Sequence, residues 1–403
     1  MIGSRRTLLS LVAYFVGLVW VNNALADDKN HLVLLLSRLG LANRLRAMAD
    51  WHQIAQESGR HLTVSWEPTV DCNVSFFSLF KDVPEGLTVL EQPLASGENS
   101  FQEAATRAKQ DAHAQGLSFK VLPRHDGGPS NFIQPGFNTF IISRASLFDP
   151  AAQVLFTDHD GLVALAGVPC QRYTQLRSHF YAELKPVDDI AQYVDEVYRT
   201  YFARKMLVGV HVRLHDADYD WSVVPPGRKL QNHDASSGQE TPMGAHGETE
   251  REIGAETGSA LVFGEGASLE HFQSVMTAIE RQFRSRYGSA TLSTPRLERG
   301  NLEEDGAPDT PIRFFVASND QKAKDYFIQH FPAAIALSGP TSVGGMRLSR
   351  SSTSSMRFAL IEWLLLSRAS LLLHTYGSSF AEEAAAKNRI PLIGAWADIN
   401  VLH

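Results

Sequence analysis

The sequence predicts an α/β protein made of two units, each built around a parallel sheet. Three observations carry this. The chain has 403 residues, more than one ordinary core serves. Apolar runs at residues 31–37, 207–210 and 312–317 read as strands buried in a sheet. Helical patterns follow these runs, giving the strand, turn and helix order that builds parallel sheets.

Composition narrows the class. Hydrophobic residues make up 44% and charged residues 20%, the balance of an ordinary folded soluble chain. The formal charge of -7 comes without a dense Lys/Arg stripe, which argues against a general nucleic-acid binder. At the N-terminus, Arg5 and Arg6 precede an apolar run over 8–21, and Ala24-Leu25-Ala26 offers a small-x-small cleavage pattern. Residues 1–26 are therefore a secretory signal peptide or an uncleaved type II membrane anchor. Either places the rest of the chain in the secretory pathway (the Golgi or ER lumen) or outside the cell. Cys72 and Cys170 suit that compartment, as one disulfide or as two separate thiols. Asn73-Val74-Ser75 is a sequon.

In the first unit, residues 27–200, the run at 31–37 is followed by a turn bearing Gly40, Asn43 and Arg44. A helical pattern then runs through Leu45, Met48, Trp51 and Ile54 to Gly59, and a strand covers 62–66. The Gly40 turn either closes a βαβ connection or holds a nucleotide. Residues 67–160 are less legible, with loops rich in Gly, Pro and Asn. Residues 181–201 read as one amphipathic helix entered through Pro186, with Ile190, Val194 and Val197 on its apolar face.

The second unit, residues 201–403, opens on the stretch MLVGVHVRLHDADYDW, residues 206–221. Its strand delivers His211, Arg213, Asp216, Asp218 and Asp220 to the carboxyl end, where ligands bind in open α/β sheets. Arg213 and Asp216 are either a surface ion pair there or a phosphate grip beside a proton acceptor. Residues 225–262 read as a flexible insertion, and His233, His246 and His271 as solvated side chains without metal-site spacing. A helix at 268–287, a strand at 312–317 ending on Asp320, helices at 321–330 and 354–367, a strand at 371–373 and a helix at 380–388 complete the unit. Ser378 and Ser379 sit where the last strand hands over to its helix, either as a helix cap or as an anion pocket. Glu362 interrupts an apolar helix. It is either an exposed edge residue or a carboxylate whose partner is a guanine base, which offers two adjacent donors.

Four motifs in order, Gly40-Leu41-Ala42-Asn43-Arg44, Gly209-Val210-His211-Val212-Arg213 with Asp216, Phe315 to Asp320, and Ala359 to Ser367 followed by Tyr376-Gly377-Ser378-Ser379-Phe380, resemble the GDP-fucose-dependent fucosyltransferase superfamily. It includes the α-1,6-, Nod-factor and protein O-fucosyltransferases. The resemblance implies a GT-B-like fold of two Rossmann-like domains, with the acceptor on the first and the nucleotide-sugar donor on the second. It also implies inverting transfer to a glycan or glycoprotein acceptor, with no metal and no cofactor besides the donor. Arg213 would hold the β-phosphate, and Asp216 or Asp218 would be the catalytic base. Gly40, Asn43, Arg44, His211, Asp320, Glu362, Ser378, Ser379 and Phe380 would line the donor site. The chain carries Ala42, Leu214 and Glu362 where that family often has Gly, Arg and Asp. A non-catalytic secreted glycan- or nucleotide-binding protein on the same fold, or a transferase using another nucleotide sugar, are the competing readings.

Overall fold

The computed structural model describes residues 30–36, 39–69, 71–91, 100–122, 139–149, 151–157, 162–165, 170–213, 253–254, 260–261, 269–287, 311–340, 352–375 and 378–395. The leader, Asp216, Asp218 and most of the 225–262 insertion lie outside the described residues. Among the described residues no helix is long and apolar enough to cross a membrane.

In chain order the first half contains β1 (Asn30–Leu36), α1 (Leu41–Glu57), β2 (Arg60–Trp66), β3 (Phe80–Asp82), β4 (Leu87–Leu90), α2 (Ser100–Ala114), β5 (Phe119–Val121), β6 (Thr139–Ile142), α3 (Arg144–Leu147), β7 (Val154–Thr157), β8 (Leu162–Leu165), α4 (Cys170–Glu183), β9 (Lys185–Pro186) and α5 (Asp188–Tyr201). The second half contains β10 (Met206–Val212), β11 (Ile253–Gly254), β12 (Ala260–Leu261), α6 (Leu269–Tyr287), β13 (Ile312–Ser318), α7 (Gln321–His330), β14 (Ala334–Ile335), α8 (Thr353–Leu366), β15 (Leu371–His374), α9 (Ser379–Asn388) and β16 (Leu392–Gly394).

Two parallel five-stranded sheets organise these elements, ordered β4-β2-β1-β7-β5 and β14-β13-β10-β15-β16. In each, the first strand of the half lies at the centre and later strands are added on both sides. That arrangement creates a switch point, β1 against β7 in one sheet and β10 against β15 in the other. Both sheet faces are covered, which is why the strands read as unbroken apolar runs. Along β10, Leu207 packs into the core between the sheets, while Val208, Val210 and Val212 face the outer layer with Phe272, Met276 and Phe327. The inner core is continuous across the halves and joins Leu32, Leu34, Trp51, Phe315, Trp363 and Leu372. Gly209 lacks a side chain for a packing reason: a Cβ there would stand 3.0 Å from Leu366 of α8 and 3.3 Å from Leu372 of β15.

One sequence expectation fails. Residues 181–201 are not a single helix. α4 ends at Glu183, and Lys185–Pro186 becomes β9, pairing antiparallel with β3 before α5 begins at Asp188. Pro186 lacks an N–H and disfavours helical geometry at Lys185, so the break falls there. Cys72 is a buried free thiol, its pKa pushed up to about 11 mainly by burial.

Candidate active site

The switch point of the second sheet brings together the residues that the sequence marked at two distant places. β10 and β15 are direct parallel neighbours, with His211 opposite His374. The ladder continues past the strand ends: Thr375 N–H donates to His211 O at 3.0 Å, and Arg213 N–H donates to Thr375 Oγ1 at 3.0 Å. Arg213 is therefore anchored by its backbone at the mouth of the sheet, with its residue only partly buried. Ser378 caps α9 with extended backbone (φ -77, ψ 102), and its carbonyl accepts the Glu382 N–H at 3.1 Å. The opening amides of α9 thus start at the carboxyl edge of the sheet, the geometry that attracts anions.

Two polar atoms at this edge are buried without a hydrogen-bond partner. Ser378 Oγ makes no cap bond and none elsewhere, although its residue is 0% exposed. His211 Nδ1 is likewise unpartnered, and the imidazole stacks on Phe380 at 5.2 Å between centroids. Unpaired buried polar atoms are rare and cost free energy, so two on adjacent strand ends mark a place built for something else. Burial pushes the His211 pKa down to about 3, helped by His374, Arg213 and Lys324 nearby. Burial also lowers His374 to about 4, against the opposing effect of its contact with the Thr375 carbonyl at 2.8 Å. Both rings are neutral at physiological pH. The His374 Nδ1 carries the proton in that contact, because a carbonyl only accepts.

The other residues singled out in the sequence have different surroundings. Glu362 is buried, but its partner is inside the protein: Lys324 Nζ donates to Glu362 Oε1 at 2.6 Å and to Leu337 O at 3.1 Å. Burial raises the Glu362 pKa to about 7 against the pull of Lys324. Glu362 therefore has a charged partner within the fold. Asp320 caps α7, accepting the Lys322 N–H at 2.7 Å and donating its own N–H to Ser318 Oγ at 3.1 Å.

Arg44 is fully buried over the Trp66 ring. Its fork donates to Leu39 O at 3.0 Å, Glu67 O at 2.6 Å and Thr69 Oγ1 at 2.9 Å. These bonds tie the β1–α1 turn to the end of β2, and they hold Leu39 in the left-handed region at φ 69. The guanidinium has no exposure and these donors turn inward, so Arg44 braces the turn. Gly40 is extended (φ -73, ψ 169) and caps α1, while Asn43 is half-buried on the first turn.

Sequence reasoning missed Thr375, whose hydroxyl and amide link the two strand ends. It also missed Glu382 and Glu383 in α9, where only their place in the first turns of that helix was a signal.

No family model and no curated protein matches the sequence. Solved structures do. A variant of FUT1 from Arabidopsis thaliana in complex with GDP is similar at a TM-score of 0.50 and 14% identity, over 93% of this chain and 72% of that one. NodZ α-1,6-fucosyltransferase soaked with GDP-fucose gives 0.44 at 17% identity, over 91% of this chain and 95% of that one. POFUT1 in complex with GDP-fucose gives 0.42 at 13% identity, over 91% and 98%. The chain has a fucosyltransferase-like α/β fold with parallel sheets, the GT-B-like architecture that the motifs implied.

Proposed function

We propose that this chain is a glycosyltransferase that uses a nucleotide-sugar donor, and more narrowly an inverting fucosyltransferase that moves fucose from GDP-fucose to a hydroxyl of a glycan or glycoprotein. The observation that carries the reading is the pair of unpartnered buried atoms, Ser378 Oγ and His211 Nδ1, beside Arg213 at the switch point of the second sheet. A diphosphate satisfies that set. Its oxygens accept from the hydroxyl, from the opening amides of α9 and from a guanidinium fork. The similarity in fold to a protein crystallised with GDP supports the same reading.

In this mechanism the bond between the sugar C1 and the β-phosphate oxygen breaks, and charge grows on that phosphate. Arg213 and the start of α9 stabilise the charge where it develops. Asp216 or Asp218 takes the proton as the acceptor oxygen bonds to C1 from the opposite face. No metal takes part, and residues 1–26 deliver or anchor the protein in the secretory pathway.

Calorimetric titration of the full chain with GDP, GDP-fucose, GDP-mannose and UDP-sugars tests the donor. The reading expects GDP and GDP-fucose to bind, and transfer to persist in EDTA. No binding of GDP overturns it. Binding without transfer or donor hydrolysis leaves a non-catalytic binder on this fold.

A further inference from the structure

Behind the start of α9 lies a cluster of charges that the donor site itself does not use. Glu382 and Glu383 are the fourth and fifth residues of α9. Both are engaged by guanidinium groups from the first half of the chain. Arg46 of α1 donates from Nε to Glu383 Oε1 and from Nη2 to Glu382 Oε2, the latter at 3.0 Å. Arg177 of α4 reaches Glu383 Oε1 at 3.3 Å while gripping Asp50 of α1 with two bonds of 2.7 and 2.8 Å. Tyr181 of α4 donates to the other Glu383 oxygen at 2.7 Å. Arg46, Asp50, Tyr181 and Glu383 are all 4% exposed or less.

The placement matters electrostatically. Rising about 1.5 Å per residue, the helix puts Glu383 only about 6 Å along its axis from Ser379. That is inside the screening length of about 8 Å at physiological salt. Two bare carboxylates there would repel a diphosphate at the same helix start and cancel the field of its amides. Burial opposes ionisation of Glu383, but Arg177, Arg46 and the Tyr181 hydroxyl outweigh it and hold its carboxyl below the usual range. Glu382 is pushed up to about 7 by burial and by Glu383, against the pull of Arg46 and Arg177.

We infer that Arg46 and Arg177, contributed by the opposite half of the protein, are positioning residues for the anion site: they neutralise Glu382 and Glu383 and fix α9 so that its first turn presents Ser378 and free amides to the donor phosphates. The inference rests on the donor-site reading above, and it makes the first half part of the donor site without touching the donor. A cluster that only glued the halves together would change stability and leave the affinity of folded protein for GDP alone.

The test is GDP affinity by calorimetry on the full chain, with folding checked by circular dichroism. Arg46→Met is expected to weaken GDP binding by about five- to tenfold, the low end of ordinary coupling between sites. Arg46→Met with Glu382→Gln is expected to recover most of that loss, since the uncompensated charge is removed. Glu382→Gln alone folds without a lost cation. It is expected to tighten GDP binding at pH 8, where Glu382 is ionised, and to match the wild type at pH 6. The charged groups facing Glu382 are Arg46 from α1, Arg177 from α4 and Glu383 on its own helix. If folded Arg46→Met binds GDP like the wild type, or if Arg46→Met fails to fold and Glu382→Gln shows no pH-dependent gain, the inference is overturned while the donor site stands. If the wild type binds no GDP, both fall together.

Discussion

Lys324 of α7 donates to Glu362 of α8 across 2.6 Å with both side chains withdrawn from solvent. The Lys324 ammonium also lies 4.9 Å from the Phe358 ring centroid, so the cation is enclosed by one carboxylate, one carbonyl and one aromatic face. Removing either charge strands the other. Lys324→Met is expected to lower unfolding free energy by about 3–5 kcal/mol, whereas Lys324→Met with Glu362→Leu recovers most of it. Denaturant unfolding of the three proteins measures this. If the double variant is stable and has lost GDP affinity, Glu362 returns to the donor site despite its internal partner.

Ser378→Ala separates a binding role from a capping role. A Ser that caps its helix costs about 1 kcal/mol when removed. Here the hydroxyl makes no cap bond and is buried unpaired, so its removal is expected to leave stability unchanged or to raise it by up to about 1 kcal/mol. GDP affinity is expected to fall about tenfold, equivalent to ~1.4 kcal/mol. A thermal melt and a titration on the same sample decide it. A destabilised variant with unchanged GDP affinity would return Ser378 to the ordinary fate of a helix cap.

Acid destabilisation follows from the buried imidazole at β10. His211 has its folded pKa depressed to about 3 by burial, with His374, Arg213 and Lys324 adding to the shift, whereas the unfolded side chain titrates near 6.5. Its contribution to stability is therefore present above pH 6.5 and is lost as pH falls from there towards 3. The limiting slope is about 1.4 kcal/mol per pH unit. Glu362, raised to about 7 by burial, has the opposite sign: its contribution is full below its unfolded value of 4.5 and lost as pH rises through 7. Comparing the wild type with His211→Asn cancels the Glu362 term. The stability difference between the two is expected to shrink as pH drops below 6.5, and a pH-independent difference would show that His211 is not held neutral.

How much of this was legible depended on side-chain size and on distance along the chain. The strands β10, β13 and β15 announced themselves because sheets covered on both faces need continuous apolar runs, and each run ends on polar residues. The segment from Glu67 to Asp160 hid its elements. α2 buries Ala104, Ala108, Asp111 and Ala112, a stripe too weak in hydrophobicity to stand out from its polar neighbours. β5 is three residues long. Arg213 and Ser378 were recognisable singly, and their adjacency followed once β10 and β15 were strands of one sheet. The pairing of Arg46 with Glu383 joins residues 337 apart and has no local signature. Nor did the apolar setting of Glu362 reveal Lys324, which lies 38 residues away on another helix.

Arg213 is the strongest test of the proposed chemistry, because its place at the strand end is held by its backbone. Its backbone N–H, bonded to Thr375 Oγ1 at 3.0 Å, survives any substitution except proline, so the strand end keeps its geometry. Arg213→Ala is expected to fold with a melting temperature close to the wild type. Loss of a donor aimed at developing charge costs about 10²–10³ in kcat, and that is the loss expected here for transfer from GDP-fucose. Arg213→Lys keeps the charge and loses the planar fork that grips two phosphate oxygens at once, so it is expected to fall between the alanine variant and the wild type. Steady-state transfer by the three proteins at saturating donor measures the order. A stable Arg213→Ala with near-normal kcat would remove the guanidinium from the leaving-group site and leave the start of α9 as its remaining electrostatic support.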